Sequence, residues 1–125
     1  MIKYEHTTGP LLADYCSYRQ YRCLQTKSYT ISLSLGNNCI LTAEGHSTLV
    51  QNILSPDNDG TIVLMCQRYI TAEDAFSYPL PSSQLGICKV DNKLSALYAL
   101  PLSSVAKKCA VLPMKDDFVA FPLLH

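Results

Sequence analysis

Two apolar runs, residues 49–54 and 62–66, flank a loop of Ser55, Pro56, Asp57, Asn58, Asp59 and Gly60. Proline presets φ at the turn entry, Asp and Asn tolerate left-handed backbone, and glycine takes positive φ with no Cβ to clash. Residues 47–69 therefore predict a long-looped β-hairpin, and the rest of the chain is read around it. Upstream, Tyr29, Ile31, Leu33 and Leu35 alternate with Thr30, Ser32 and Ser34, the pattern of a half-buried strand. Gly36-Asn37-Asn38 turns the chain into a short strand over 39–42, and Ala43-Glu44-Gly45-His46 turns it again. Strands recurring at intervals of about 10 residues point to a sandwich or barrel.

Residues 1–14 carry no periodicity and read as an arm or linker, leaving 15–125 as a single β-rich domain. Tyrosine favours strands, so the aromatic and basic cluster of 15–23 predicts a strand over 18–24. Beyond Tyr69, Thr71 followed three residues later by Asp74 resembles a capping box, predicting a helical turn over 72–77 that Pro79 and Pro81 cut short. Residues 85–90 and 94–100 read as extended, with Asp91-Asn92-Lys93 turning between them. One helical turn fits within 101–108. Closing strands follow over 109–112 and 117–121, joined through Pro113-Met114-Lys115-Asp116. The expected fold is all-β, a small, partly open barrel of SH3 character with one or two short helical turns.

A chain of 125 residues that is 48% hydrophobic and 16% charged has the size and composition of one ordered domain. Its ten basic and ten acidic residues cancel, so the global basic excess of a phosphate-backbone binder is missing. Nucleic-acid contact would need a local patch. Six cysteines at 16, 23, 39, 66, 88 and 109 include no CxxC and no neighbouring histidine, which argues against zinc; no cofactor is expected. The N-terminal stretch lacks a secretory apolar core, and no apolar run approaches the ~18 residues of a membrane span. Reduced thiols in an intracellular protein are the expectation, with disulfides still open because the cysteine count is even.

Candidate chemistry is sparse. Tyr18, Arg19, Tyr21 and Arg22 interleave rings that stack bases with cations that neutralise phosphates, so single-stranded nucleic-acid binding is one reading. An exposed strand whose rings cover the core is the plainer one. Six thiols and three histidines make a cysteine-dependent enzyme a third reading, against which His6, His46 and His125 sit in no local motif. Glu73-Asp74 and Asp116-Asp117 are adjacent acids, which point apart on a strand and do not make a glycosidase pair. Asp57-Asn58-Asp59 lacks the alternate-position ligands and terminal glutamate of a calcium loop. No glycine-rich phosphate loop occurs. No catalytic residue and no metal ligand are assigned.

From Asn38 onward the order of motifs resembles a bromo-adjacent homology (BAH) module, and still more the BAH-like β-domains of transposon-derived animal proteins. The residues that carry the likeness are Asn38-Cys39-Ile40-Leu41, the strand and turn of 50–60, IVLMCQRYITAEDAF at 62–76, PLSSVAKKCAVLPM at 101–114 and the closing FVAFPLLH. The resemblance spans residues 38–125. It implies a non-enzymatic module that binds a protein or peptide in a chromatin or mobile-element setting, and a nuclear location. It departs from the BAH pattern in having no tryptophan; the aromatic element at the strand end is reduced to Gln67-Arg68-Tyr69. Methyl-lysine readers of that family use an aromatic cage, and the candidates here are Tyr69, Phe76, Tyr78 and Tyr98. The segment 69–78 is expected to line the groove.

Overall fold

A computed structural model describes residues 2–34, 36–56, 61–114 and 116–123. Residues 57–60 of the hairpin loop, Leu35, Lys115 and His125 lie outside the described residues. The chain is all-β. Its strands are β1 (Ile2–His6), β2 (Arg19–Gln25), β3 (Thr30–Ser32), β4 (Cys39–Thr42), β5 (Ser47–Ser55), β6 (Val63–Arg68), β7 (Ala72–Asp74), β8 (Cys88–Val90), β9 (Tyr98–Pro101), β10 (Val105–Met114) and β11 (Asp117–Pro122). All pair antiparallel in one open sheet whose main path runs β1-β2-β5-β4-β10-β11-β8-β7. β3 pairs with the second half of β2, and β9 adds to β6.

The expected hairpin is the centre of this arrangement. β5 pairs with β6 from Thr48↔Arg68 to Leu54↔Val63. Its other side is shared: β4 takes the first part through Cys39↔Leu49, and β2 takes the last through Tyr21↔Ile53. A strand paired on both sides leaves few backbone groups to water, which suits its near-continuous burial. The β5–β6 register shifts between Val50 and Asn52, making Gln51 the extra residue of a β-bulge.

Two cores form. The larger holds Leu24, Ile31, Ile40, Val50, Ile53 and Leu64 with Cys66, all aliphatic apart from the thiol. The smaller holds Cys39, Cys88, Val90, Cys109 and Ala120, with Leu41, Leu49, Tyr69, Val111 and Phe118 packed against it.

Several elements differ from the sequence expectation. Residues 2–6, expected in an arm, form β1 on the edge of β2. Three exposed residues separate half-buried Ile2 and His6, so no apolar rhythm marks the strand. Polar contacts anchor it instead. Thr8 N–H donates to His6 Nδ1 (3.3 Å), so His6 Nε2–H donates to Asn52 Oδ1 (3.1 Å). Asn52 Nδ2 donates to Gln20 Oε1 (2.9 Å) and Pro10 O (3.1 Å), and Gly9 N–H donates to the same Gln20 oxygen (2.9 Å). A Cβ on Gly9 would lie 2.5 Å from Asn52 Nδ2, so this close approach requires glycine.

The helical turn expected over 72–77 is instead β7, an exposed edge strand in register with β8 from Ala72↔Val90 to Asp74↔Cys88. Asp74 does act as a cap, but Oδ1 accepts from Ser83 N–H (2.8 Å), at the 3-10 turn Ser82–Leu85. That turn also takes Leu85 from the expected strand; Gly86 closes it at φ 77°. Ser82 Oγ binds the loop together, accepting from Ala75 N–H (2.7 Å) and donating to Ile87 O (2.8 Å). The helical turn expected within 101–108 contracts to Leu102–Ser104, and β10 starts at once.

Candidate groove on the hairpin face

Side chains alternate across a strand. At the end of β6 this sends Tyr69 and Arg68 to different concavities. The Tyr69 side is a groove of about 570 Å³ with walls that include Leu49, Leu94, Val111 and Phe118. Among the described residues no charged side chain lines it. Its polar groups are carboxamides. Asn38 Nδ2 donates to Val50 O (2.9 Å). The bulge turns Gln51 into the groove, where its Nε2 donates to Gln67 Oε1 (3.2 Å), and Gln67 Nε2 in turn donates to Ser95 O (2.9 Å). This relay fixes the amide orientation and leaves Gln51 Oε1 as an acceptor on a lining residue. Asn92 supplies a third carboxamide at the rim.

The rim is stitched to β6 by backbone. Asp91 Oδ1 accepts from Lys93 N–H (2.9 Å), closing the expected 91–93 turn. Ile70 N–H then donates to Lys93 O (3.0 Å), Tyr69 bridges Leu94, and Ser95 N–H donates to Arg68 O (2.9 Å). Burial, the main cause, pushes the Tyr69 hydroxyl up to about 12, so it stays protonated at neutral pH.

The other concavity, about 410 Å³, is lined by the charged side chains of Glu44 and Arg68 together with His46 and several apolar residues. Arg68 Nη1 lies 3.4 Å from both ring nitrogens of His46, and Glu44 is 4.0 Å from His46 Nδ1. His46 has 43% of its side chain in solvent. Tyr98 lines this second hollow, and burial raises its hydroxyl.

The four aromatic candidates therefore do not converge. Tyr69 is in the groove and Tyr98 in the second hollow, while Phe76 (41% exposed) and Tyr78 (87% exposed) stand on the loop after β7. Of the 69–78 segment, only Tyr69 lines the groove. The aromatic that joins it is Phe118, from β11. Phe118 falls in the expected closing strand of 117–121, but only the pairing of β11 with β8 and β10 sets it against Tyr69. In the Tyr/Arg set, Tyr21 packs on the larger core, and Tyr18 meets Tyr15 edge-on with centroids 5.0 Å apart. Arg19 and Arg22 are exposed on β2.

Cys39, Cys66, Cys88 and Cys109 are buried, Cys23 is half-buried and Cys16 exposed. Among the described residues no His, Cys, Asp and Glu group has the arrangement of a metal site. No helix among them is long and apolar enough to cross a membrane.

The class defined so far is an open, antiparallel β-domain with a groove, uncharged among the described residues, over a thiol-rich core. Residues 5–123 match a family model described as a domain of unknown function, DUF8592, and the chain belongs to that family. No curated protein and no solved structure matches it.

Proposed function

We propose that the protein is a non-enzymatic interaction module that holds a short, uncharged, extended peptide segment in the Tyr69 groove. The observation that carries this reading is the lining: apolar walls, three carboxamides and, among the described residues, no charge. Apolar side chains of an extended peptide fit the walls, while amides match peptide N–H and C=O groups without the desolvation cost of a buried charge. Neutral lining also sets this groove against a phosphate backbone, whose binding depends on cations. Two aromatics, Tyr69 and Phe118, offer less than the several-sided cage that a methyl-ammonium favours. The BAH resemblance supports a chromatin or mobile-element setting and a nuclear location for the partner.

The test is selection from a displayed random-peptide library beside a methyl-lysine histone-peptide array and labelled single-stranded DNA and RNA, at low and moderate salt. The expected binder is an uncharged peptide whose affinity changes little with salt. Tyr69→Ala is expected to weaken it about tenfold or more, in the range of a lost aromatic anchor, while Tyr98→Ala leaves it unchanged. Preferential, steeply salt-dependent oligonucleotide binding would overturn the reading and move the site to Arg19 and Arg22.

A further inference from the structure

Cys39 on β4 and Cys109 on β10 are direct cross-strand partners, and both are fully buried in the smaller core. Directly opposed residues of an antiparallel pair have Cα atoms about 4.5 or 5.5 Å apart. Both spacings fall inside the ~4.4–6.8 Å window that a disulfide spans without backbone movement. The third thiol of this core, Cys88, lies one strand further away: β8 pairs with β11, and β11 pairs with β10. We propose that Cys39 and Cys109 form a paired modification site, which a peroxide-class oxidant joins into one cross-strand disulfide beneath the groove.

The two thiols have different parts in the reaction. The hydrogen bond from the Cys39 thiol, helped by nearby Lys107, holds the Cys109 thiol below its ordinary range. The same hydrogen bond, with burial, pushes Cys39 well above its ordinary range, so Cys39 keeps its proton. The thiolate is the nucleophile. Cys109 thiolate attacks one peroxide oxygen; the O–O bond breaks, hydroxide leaves, and Cys109 becomes a sulfenic acid. Cys39 sulfur then displaces the sulfenic oxygen, losing its proton as the S–S bond forms and water leaves. In sum, two thiols and one hydrogen peroxide give one disulfide and two waters. Entry is favoured beside the pair, because the β10–β4 register shifts between Val105 and Lys107. Such a bulge interrupts the ladder two residues from Cys109, where local opening is easiest. The inference rests on register and burial, and is independent of what occupies the groove.

The experiment treats the native full chain, carrying Cys16→Ser and Cys23→Ser to remove the two accessible thiols, with hydrogen peroxide. Remaining thiols are then blocked with N-ethylmaleimide in denaturant. The expected product is lighter by about 2 Da before blocking, as one disulfide forms from two thiols. Peptide mapping is expected to link Cys39 to Cys109, with Cys66 and Cys88 both blocked. The same link is expected in the wild-type chain and after Cys88→Ser. Full labelling of Cys39 and Cys109, a Cys88–Cys109 link, or loss of the link in Cys88→Ser would each overturn the assignment.

Discussion

The two cores of this sheet are built from different material. The one under β5 and β6 is a block of large aliphatic side chains, with Ile31, Ile40, Ile53 and Leu64 fully buried. The one between β4, β10, β11 and β8 has three thiols, a valine and an alanine at its centre, and is completed by half-buried side chains. Small central residues fill less space, and the partly buried Leu49, Tyr69, Val111 and Phe118 above them become groove wall as well as core cover. Bulk on one side fixes the hairpin. Lack of bulk on the other leaves the groove open.

The contrast breaks first at the aliphatic block. Ile53→Ala or Leu64→Ala is expected to cost about 2–5 kcal/mol by denaturant unfolding, the usual range for a buried large-to-small change. Val111→Ala, half-buried on the thiol side, is expected to cost about 1 kcal/mol from its smaller transfer term and to widen the groove. Equal losses at the two sites would erase the distinction.

Next in size is the polar anchor. Asn52 is fully buried and joins His6, Pro10 and Gln20. Asn52→Ala strands Gln20 and the N-terminal segment, an expected loss of about 1–3 kcal/mol. Hydrogen exchange should show β1 losing protection before β5; uniform loss across both strands would argue that β1 does not depend on this network.

Alkaline pH touches both cores. Burial pushes the Cys66 thiol up to about 12, and burial likewise raises Tyr69 to about 12. In each case the folded state holds the neutral form more tightly than the unfolded chain does. Stability from these groups is therefore complete below about pH 9, near the unfolded thiol value, and is lost as pH rises toward 12, by at most ~1.4 kcal/mol per pH unit for each group. Cys66→Ala should flatten the thiol part of that slope. A slope unchanged by the substitution would show that Cys66 ionisation is not coupled to unfolding.

Legibility followed the same division. The hairpin could be read because its apolar runs and turn residues agree locally: β5, β6 and the 39–42 strand fall where expected. β1 could not, since its anchors are His6, Asn52 and Gln20, polar residues up to 46 positions apart. The acidic pair at 73–74 carried a helix-cap pattern, yet edge pairing with β8 drew residues 72–74 into a strand, while Asp74 capped a turn nine residues on. The groove was half legible. Tyr69 stood out as a strand-end aromatic, whereas Phe118, Gln51 and Asn92 reach it through strand order, a bulge and a stitched loop. The 91–93 turn was legible, but strand order, the bulge and the loop's backbone pairing to β6 leave no mark on local sequence.

The measurement that bears most directly on the groove is amide chemical-shift mapping of the labelled protein titrated with the peptide chosen by library selection. The account predicts that the side-chain amides of Gln51 and Asn92 and the backbone around Tyr69 and Phe118 move together, with Tyr18–Arg22 and Phe76–Tyr78 unmoved. Shifts concentrated on either of those two segments, with the groove silent, would contradict it.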